Sequence, residues 1–391
     1  MSPRPHHVRR TDCQVADLVA TVSVPTRAED LPHATRVEAG VPVYDAAALR
    51  PTDALLAELA FALADGPGIV VFEGAFDPAV LAPVTAAFER IIAAEKAAGA
   101  AAGDHFAAAG ANDRLWNALE KLAVDDPAAF VDYYANDALA LVCRAWLGPG
   151  YQVTSQVNVV NPGGAAQLVH RDYHLGFQSP DISETYPRHV HQLSPYLTLQ
   201  GAVAHTDMPV ETGPTLYLPH SQKYELGYLA YWLPEFADYF AAHHVQLPLA
   251  LGDAVFFNPA LFHAAGANRT ADVRRMANLL QVSSAFGRAM ESVDRARIVR
   301  AIYPQLRRYA ERGETTPYAE RGEPTTYSVA NVIAAAAEGY AFPTNLDRDP
   351  PLDGMSPPTM ADVLARALAD GAAASDLDEA LARWEDARRT H

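Results

Sequence analysis

His170 and Asp172 stand two residues apart in Leu168-Val169-His170-Arg171-Asp172-Tyr173, and a distal His263 closes the apolar run Phe256-Phe257-Asn258-Pro259-Ala260-Leu261-Phe262. This constellation restricts the fold more than any other feature. In a strand, residues i and i+2 share a face, so His170 and Asp172 aim into one cavity while Arg171 points away. A helix would splay them by about 200°. The neighbourhood supports strands: Val157, Val159 and Val160 precede a turn at Asn161-Pro162-Gly163-Gly164, and Gln167-Leu168-Val169 leads into the motif. Two histidines and one carboxylate on one face form the set that holds non-haem Fe(II) and leaves the opposite positions open.

Beyond His263, Gly266-Ala267-Asn268-Arg269 reads as a turn and Val273 to Val282 as a returning strand. A hairpin centred between Asn268 and Arg269 sets Arg274 opposite His263, on the same face, where it suits an acidic co-substrate. A centre half a step later selects Arg275 instead. Arg274 is the preferred assignment. Each element alone is ordinary, since a His-x-Asp pair or a lone buried His is usually structural. Their order and spacing together are not.

The remainder of the chain limits the alternatives. Its 391 residues, half of them apolar, suffice for a large core. A net charge of −17 argues against nucleic acid and against an anionic membrane surface. Cys13 and Cys143 are the only cysteines, too few for a disulfide framework, which fits a reducing cytoplasm. No stretch approaches a membrane span, and no apolar segment follows the basic N-terminus. The expected partner is a small molecule.

Residues 1–40 lack periodicity and read as an irregular N-terminal arm. Helices are expected over Pro51 to Asp65, Phe76 to Ala102 (with a small-residue tail from Ala97 to Gly103) and Pro127 to Leu147, and a buried strand over Ile69 to Phe72. Strand signals dominate from Tyr151 to Phe286. Helices return at Ala289 to Arg312 and Thr359 to Arg389, joined by a Pro- and Gly-containing connector. The reading is mainly β with flanking helices: a jelly-roll domain over 41–287 and a helical C-terminal extension over 288–391, whose helices offer a surface for a homodimer. Gly176 to Ser194 carries turn formers and aromatic side chains without a helical or strand period, so a mobile lid is expected there. Within it, His189 and His191 at strand spacing are a candidate second metal pair, or more simply solvated or substrate-facing side chains.

With these segments in place, the chain resembles the phytanoyl-CoA dioxygenase (PhyH) family of Fe(II)/2-oxoglutarate-dependent oxygenases, over Val43 to Ser284. The resemblance runs through Gly68-Ile69-Val70-Val71-Phe72-Glu73-Gly74, His170-Arg171-Asp172-Tyr173-His174, Thr206-Asp207, Gly213-Pro214-Thr215-Leu216-Tyr217-Leu218 and Gly252 through His263 to Arg274. It implies a double-stranded β-helix. It also implies iron ligation by His170, Asp172 and His263, and an Arg274 guanidinium on the distal carboxylate of 2-oxoglutarate, a bidentate task for which Arg is better shaped than Lys. By position, Asn158 and Gln200 are further co-substrate contacts. The implied activity is hydroxylation or another oxidation of a small or medium organic substrate, consuming O2 and 2-oxoglutarate and releasing succinate and CO2. Asp172 argues against the related halogenases, which lack the carboxylate. The alternatives are a non-catalytic jelly-roll binding protein and a cupin-type metal-dependent isomerase, neither of which needs the arginine. Two departures bear on pocket shape. The family's Pro-Gly-Ser-His turn reads Pro219-His220-Ser221-Gln222, and Ala202 stands where a Trp is often found.

Overall fold

The computed structural model describes residues 6–99, 112–312, 326–352 and 354–390. Most of the expected tail Ala97 to Gly103, and part of the connector after Arg312, lie outside the described residues. The strands are β1 (Arg36–Glu38), β2 (Val41–Asp45), β3 (Ile69–Glu73), β4 (Asn112–Leu115), β5 (Gln152–Val160), β6 (Thr198–Ala204), β7 (Leu216–Leu218), β8 (Val245–Gln246), β9 (Ala254–Phe257), β10 (Phe262–Ala264) and β11 (Arg275–Ser283). Eight form a large sheet in the order β1-β2-β3-β9-β6-β11-β5-β4, and three form a small sheet, β10-β7-β8. Only β2 and β3 run parallel; every other pair is antiparallel.

Strand alternation explains the layering. On β9, Ala254 and Phe256 face outward and join Phe72, Leu199, Val203 and Leu280 against the helices. Val255 and Phe257 face inward, where Val71, Ala202 and Ala277 meet Tyr217 of the small sheet. The two sheets therefore enclose an inner layer, as in a double-stranded β-helix, and the helices cover the outer face of the large one. Both faces are buried, so these strands read as continuous apolar runs rather than as an alternation.

Helix ends follow their caps. Thr52 caps Asp53–Ala64 through a 3.2 Å bond from the Leu55 amide, and Asp77 caps Pro78–Ala97. The single helix expected over Pro127 to Leu147 is two, Pro127–Tyr134 and Asp137–Leu147. Asn136 separates them: its Oδ1 accepts from the Leu139 amide at 2.9 Å, and its Nδ2 donates to the Ala75 carbonyl at 2.7 Å. Gly371, at φ +61°, likewise divides Thr359 to Arg389 into Met360–Ala369 and Ala374–Arg388.

The described part of the expected arm, residues 6–40, is more regular than its composition suggests, with a helix at Val15–Val22 and β1 on the edge of the large sheet. The C-terminal helices share the main core. Ile298, Val299, Ile302 and Leu306 pack in one cluster with Phe130 and Tyr134, and buried Arg295 donates to the carbonyls of Val153 and Ala335. No described helix is long and apolar enough to cross a membrane.

Candidate metal centre

The three motif residues converge between the sheets. His263 sits on β10, paired with Tyr217 of β7. His170 lies on no strand. It is held by one antiparallel bridge to His263, with amide-to-carbonyl distances of 3.0 and 3.2 Å. The expected strand thus reduces to a single bridge, because the chain turns at once: Asp172 N donates to Pro259 O at 3.0 Å, and Tyr173 and His174 take φ of +63° and +44°. One bridge preserves the i, i+2 parity. Between His170 and Asp172, Arg171 points the other way, donating to the carbonyls of Ser221 (2.5 Å) and Tyr224 (2.9 Å) between the rings of Tyr228 and Phe262.

One ligand atom from each of His170, Asp172 and His263 lies within 4.8 Å of the other two, the one such cluster found among the described residues. The Nδ1 atoms of His170 and His263 each sit 2.8 Å from a carbonyl, of Leu168 and Leu261. A carbonyl only accepts, so each Nδ1 donates to it, and each Nε2 is the ring nitrogen left facing the cluster. These Nε2 atoms stand 3.8 and 3.4 Å from Asp172. Burial opposes ionisation of Asp172, but His170, His263 and the Gln200 amide outweigh it and hold the carboxyl well below its usual range. Burial, reinforced by His263, lowers the His170 pKa and favours its neutral ring. A dication would meet here one carboxylate and two imidazole Nε2 atoms, a donor set suited to iron(II).

The triad opens on a cavity of about 550 Å3. Arg274 does not line it. β10 and β11 belong to different sheets, so the expected hairpin does not form, and β11 pairs with β5 and β6 instead. Along β11 the inward positions are Arg275, Ala277, Leu279 and Gln281, while Met276, Leu280 and Val282 face the helices. Arg274 precedes the strand, half exposed, 3.7 Å from Glu89 and 3.9 Å from Asp113. Arg275 is buried in the cavity wall beside Tyr217 and donates to the Gly213 carbonyl. Burial lowers its pKa to about 10, which leaves it cationic at neutral pH.

Asn158 lines the cavity, and its buried Oδ1 has no protein partner. Gln200 lines it too, but its Nε2 donates to Asp172 Oδ2. Sequence reasoning missed Thr215, Tyr217, Gln156 and Gln281, which share the wall; the parity of β11 and β5 identifies the last two once the strand bounds are known. Ala202 lines the cavity where a Trp would fill it. Ser221, in the altered turn, accepts from the Phe262 amide at 2.7 Å and so braces the residue before His263.

The segment 176–194 is not without a period: Pro180–Ser183 and Arg188–Leu193 are short helices. His189 and His191 therefore diverge. His189 is exposed near His6, while buried His191 places Nε2 3.0 Å from the Ser183 carbonyl, so they form no metal pair. Phe177 reaches the cavity wall.

Comparison with known proteins gives one family. Residues 64–276 match the family model described as Phytanoyl-CoA dioxygenase (PhyH). Dioxygenase trt7 of Aspergillus terreus (strain NIH 2624 / FGSC A1156) is 32% identical over 132 residues, which are 34% of this chain and 41% of that protein's length. Among solved structures, the epimerase SnoN in complex with Fe3+, alpha ketoglutarate and nogalamycin RO is 20% identical, covering 60% of this chain and 85% of that one at a TM-score of 0.42. HygX from Streptomyces hygroscopicus with nickel, 2-oxoglutarate and hygromycin B is 17% identical, covering 60% and 90% at 0.42.

Proposed function

Because this chain belongs to the phytanoyl-CoA dioxygenase family, we propose that it is an Fe(II)- and 2-oxoglutarate-dependent dioxygenase that oxidises a small organic substrate. The observation that carries the reading is the convergence of two free histidine Nε2 atoms and one ionised carboxylate on a cavity that also holds a buried arginine. When bound there, iron(II) with 2-oxoglutarate supplies oxygen activation coupled to release of succinate and CO2. The residues provide the rest. His170, His263 and Asp172 would hold the metal. Gln200 engages Asp172 Oδ2, which leaves Oδ1 as the carboxylate's less encumbered ligand atom. Arg275, with Thr215 and Tyr217 on the same wall, takes the distal carboxylate of 2-oxoglutarate, and Asn158, which lines the same cavity, offers a further polar contact. Leu247, Leu249, Val255 and Phe257 line the same cavity and make it an apolar enclosure that limits water around that charge pair.

The test is anaerobic reconstitution. Iron(II) is expected to bind one per chain, and adding 2-oxoglutarate should give the weak visible charge-transfer band of the ternary complex. His170→Ala and His263→Ala should each lose the iron. Retention of stoichiometric iron by both variants would refute the assignment.

A further inference from the structure

The inner face of the large sheet changes character across its width. On β3, β9 and the Ala202 end of β6 it is apolar, with Val71, Ala202, Val255 and Phe257, and Gln200 on β6 begins the polar part. Toward β11, β5 and β4 the cavity wall becomes Gln281, Gln156 and Arg114. The register pairs polar side chains on this wall, Gln281 across from Gln200 and Arg114 from Asn158, with Gln156 across from Leu279 between them.

These carboxamides are deeply buried: Gln156 is 2% exposed, Gln200 4% and Gln281 7%. Yet Oε1 of Gln200 and Oε1 of Gln281 have no protein partner. Gln200 cannot be turned over to cure this, because its Nε2 donates to a carboxylate, which only accepts. Gln156 is fixed by the same logic. Its Oε1 accepts from Arg114 Nη1 at 3.4 Å, which leaves Nε2 facing the Met290 thioether, a weak acceptor, at 3.4 Å. Unsatisfied acceptors and an underused donor thus share one wall, and each costs free energy until something fills it.

The charge balance narrows the ligand further. Arg114 lies within Coulombic range of Glu291, whose carboxyl burial raises against the pull of Lys121 and Arg114. A cation with a carboxyl group alongside makes little demand for an anionic ligand. The Arg114 guanidinium also lies 5.2 Å from the centre of the Trp116 ring, which adds a flat apolar wall.

A hydroxyl both donates and accepts, so it answers both kinds of vacant partner at once. We propose that the β11–β5–β4 half of the cavity is the prime-substrate subsite, and that it takes a small, neutral, polyhydroxylated molecule of the sugar or polyol class rather than an acyl chain. An acyl chain would bury Gln156, Gln200 and Gln281 against carbon and leave their polar atoms unpaired. A cavity of about 550 Å3 that must also hold 2-oxoglutarate suits a ligand of monosaccharide size. The inference rests on the dioxygenase reading for the place where oxidation occurs, but binding at the subsite can be measured apart from it.

The experiment is saturation-transfer NMR on protein loaded with Zn(II), a diamagnetic stand-in for iron, and 2-oxoglutarate. The probes are methyl α-D-glucopyranoside, myo-inositol and octanoate. Saturable transfer to at least one of the two polyols is expected, weakened about tenfold in Gln281→Met and in Gln156→Met, as loss of one buried hydrogen bond implies. Gln281→Glu, which keeps the shape and an acceptor, is expected to retain binding and guards against a misfolded methionine variant. Three results would overturn the proposal: no saturable polyol binding, polyol binding indifferent to both methionine variants, or octanoate binding more tightly than either polyol. Arg275→Ala separates the two readings, since it should lose 2-oxoglutarate yet keep the polyol. Wild-type protein that binds polyol but neither metal nor 2-oxoglutarate would sink the dioxygenase reading alone.

Discussion

At the scale of single residues, the choice between Arg274 and Arg275 decides how the co-substrate is held. A desolvated partner of a carboxylate is worth about 2–5 kcal/mol when removed, whereas an exposed ion pair is worth about 0–1 kcal/mol. Arg275→Ala is therefore expected to weaken 2-oxoglutarate binding about 30-fold or more, and Arg274→Ala to change it little, by titration of the iron-loaded protein under argon. Equal losses from both would show that Arg275 does not act alone. The convergence of His170 and Asp172 was legible in the sequence because i, i+2 parity needs only local extended backbone, and one bridge to His263 supplies it. The arginine was not, because its face depends on which strand pairs with β11, a long-range choice that spacing does not encode. A second residue-scale prediction concerns His205. Its Nδ1 lies 2.8 Å from Thr85 Oγ1, and burial lowers its pKa to about 3. The unfolded chain takes up that proton near pH 6.5, before the folded one does. Stability should thus fall as pH drops from about 6.5 toward 3. Between pH 6.5 and pH 5 this one group accounts for about 2 kcal/mol. Urea midpoints of metal-free protein should show that difference shrinking in His205→Gln, and an unchanged pH slope would remove His205 from the account.

At the scale of elements, the segment after the metal motif is tied down rather than loose. Arg10 meets Asp181 at 2.5 Å and Glu184 at 3.0 Å, the Arg188 amide donates to His6 O at 2.8 Å, and Arg188 pairs with Glu225. Inside, Ser194 Oγ donates to the Tyr228 hydroxyl at 3.2 Å. The N-terminal arm is therefore a strap across two short helices. Neither was legible, because a helix of one turn leaves no period to read and the arm's partners lie far away in sequence. Slow hydrogen exchange is expected for the amides of Ser183 and Val190 without any substrate, and faster exchange at both in Arg10→Ala. Fast exchange in the unmodified chain would restore the mobile lid that composition alone suggests.

At the scale of the whole molecule, the helices after residue 288 could be an appendage or a wall of the main core, and the two cases unfold differently. Ile302 and Leu306 are fully buried in the cluster that holds Phe130, Tyr134, Val153 and Leu280, so the outer face of the large sheet and these helices share one interior. The extension was visible in the sequence as helices. Its docking was not, since an apolar helix face does not name the surface that covers it. A shared core predicts a single transition. Truncating a buried Ile to Ala typically costs about 2–5 kcal/mol, and in Ile302→Ala the whole cost should appear in that transition. Denaturant unfolding followed by far-UV circular dichroism and by tryptophan emission should give coincident curves in both proteins, with the variant's midpoint lower and its slope unchanged. An appendage would instead lose helical signal early and leave the β core at its original midpoint. The site should follow the core: iron should leave the variant at the same lowered denaturant concentration, because β9, whose Phe256 packs in the core those helices share, also carries Phe257, whose ring lies 4.9 Å from that of His263.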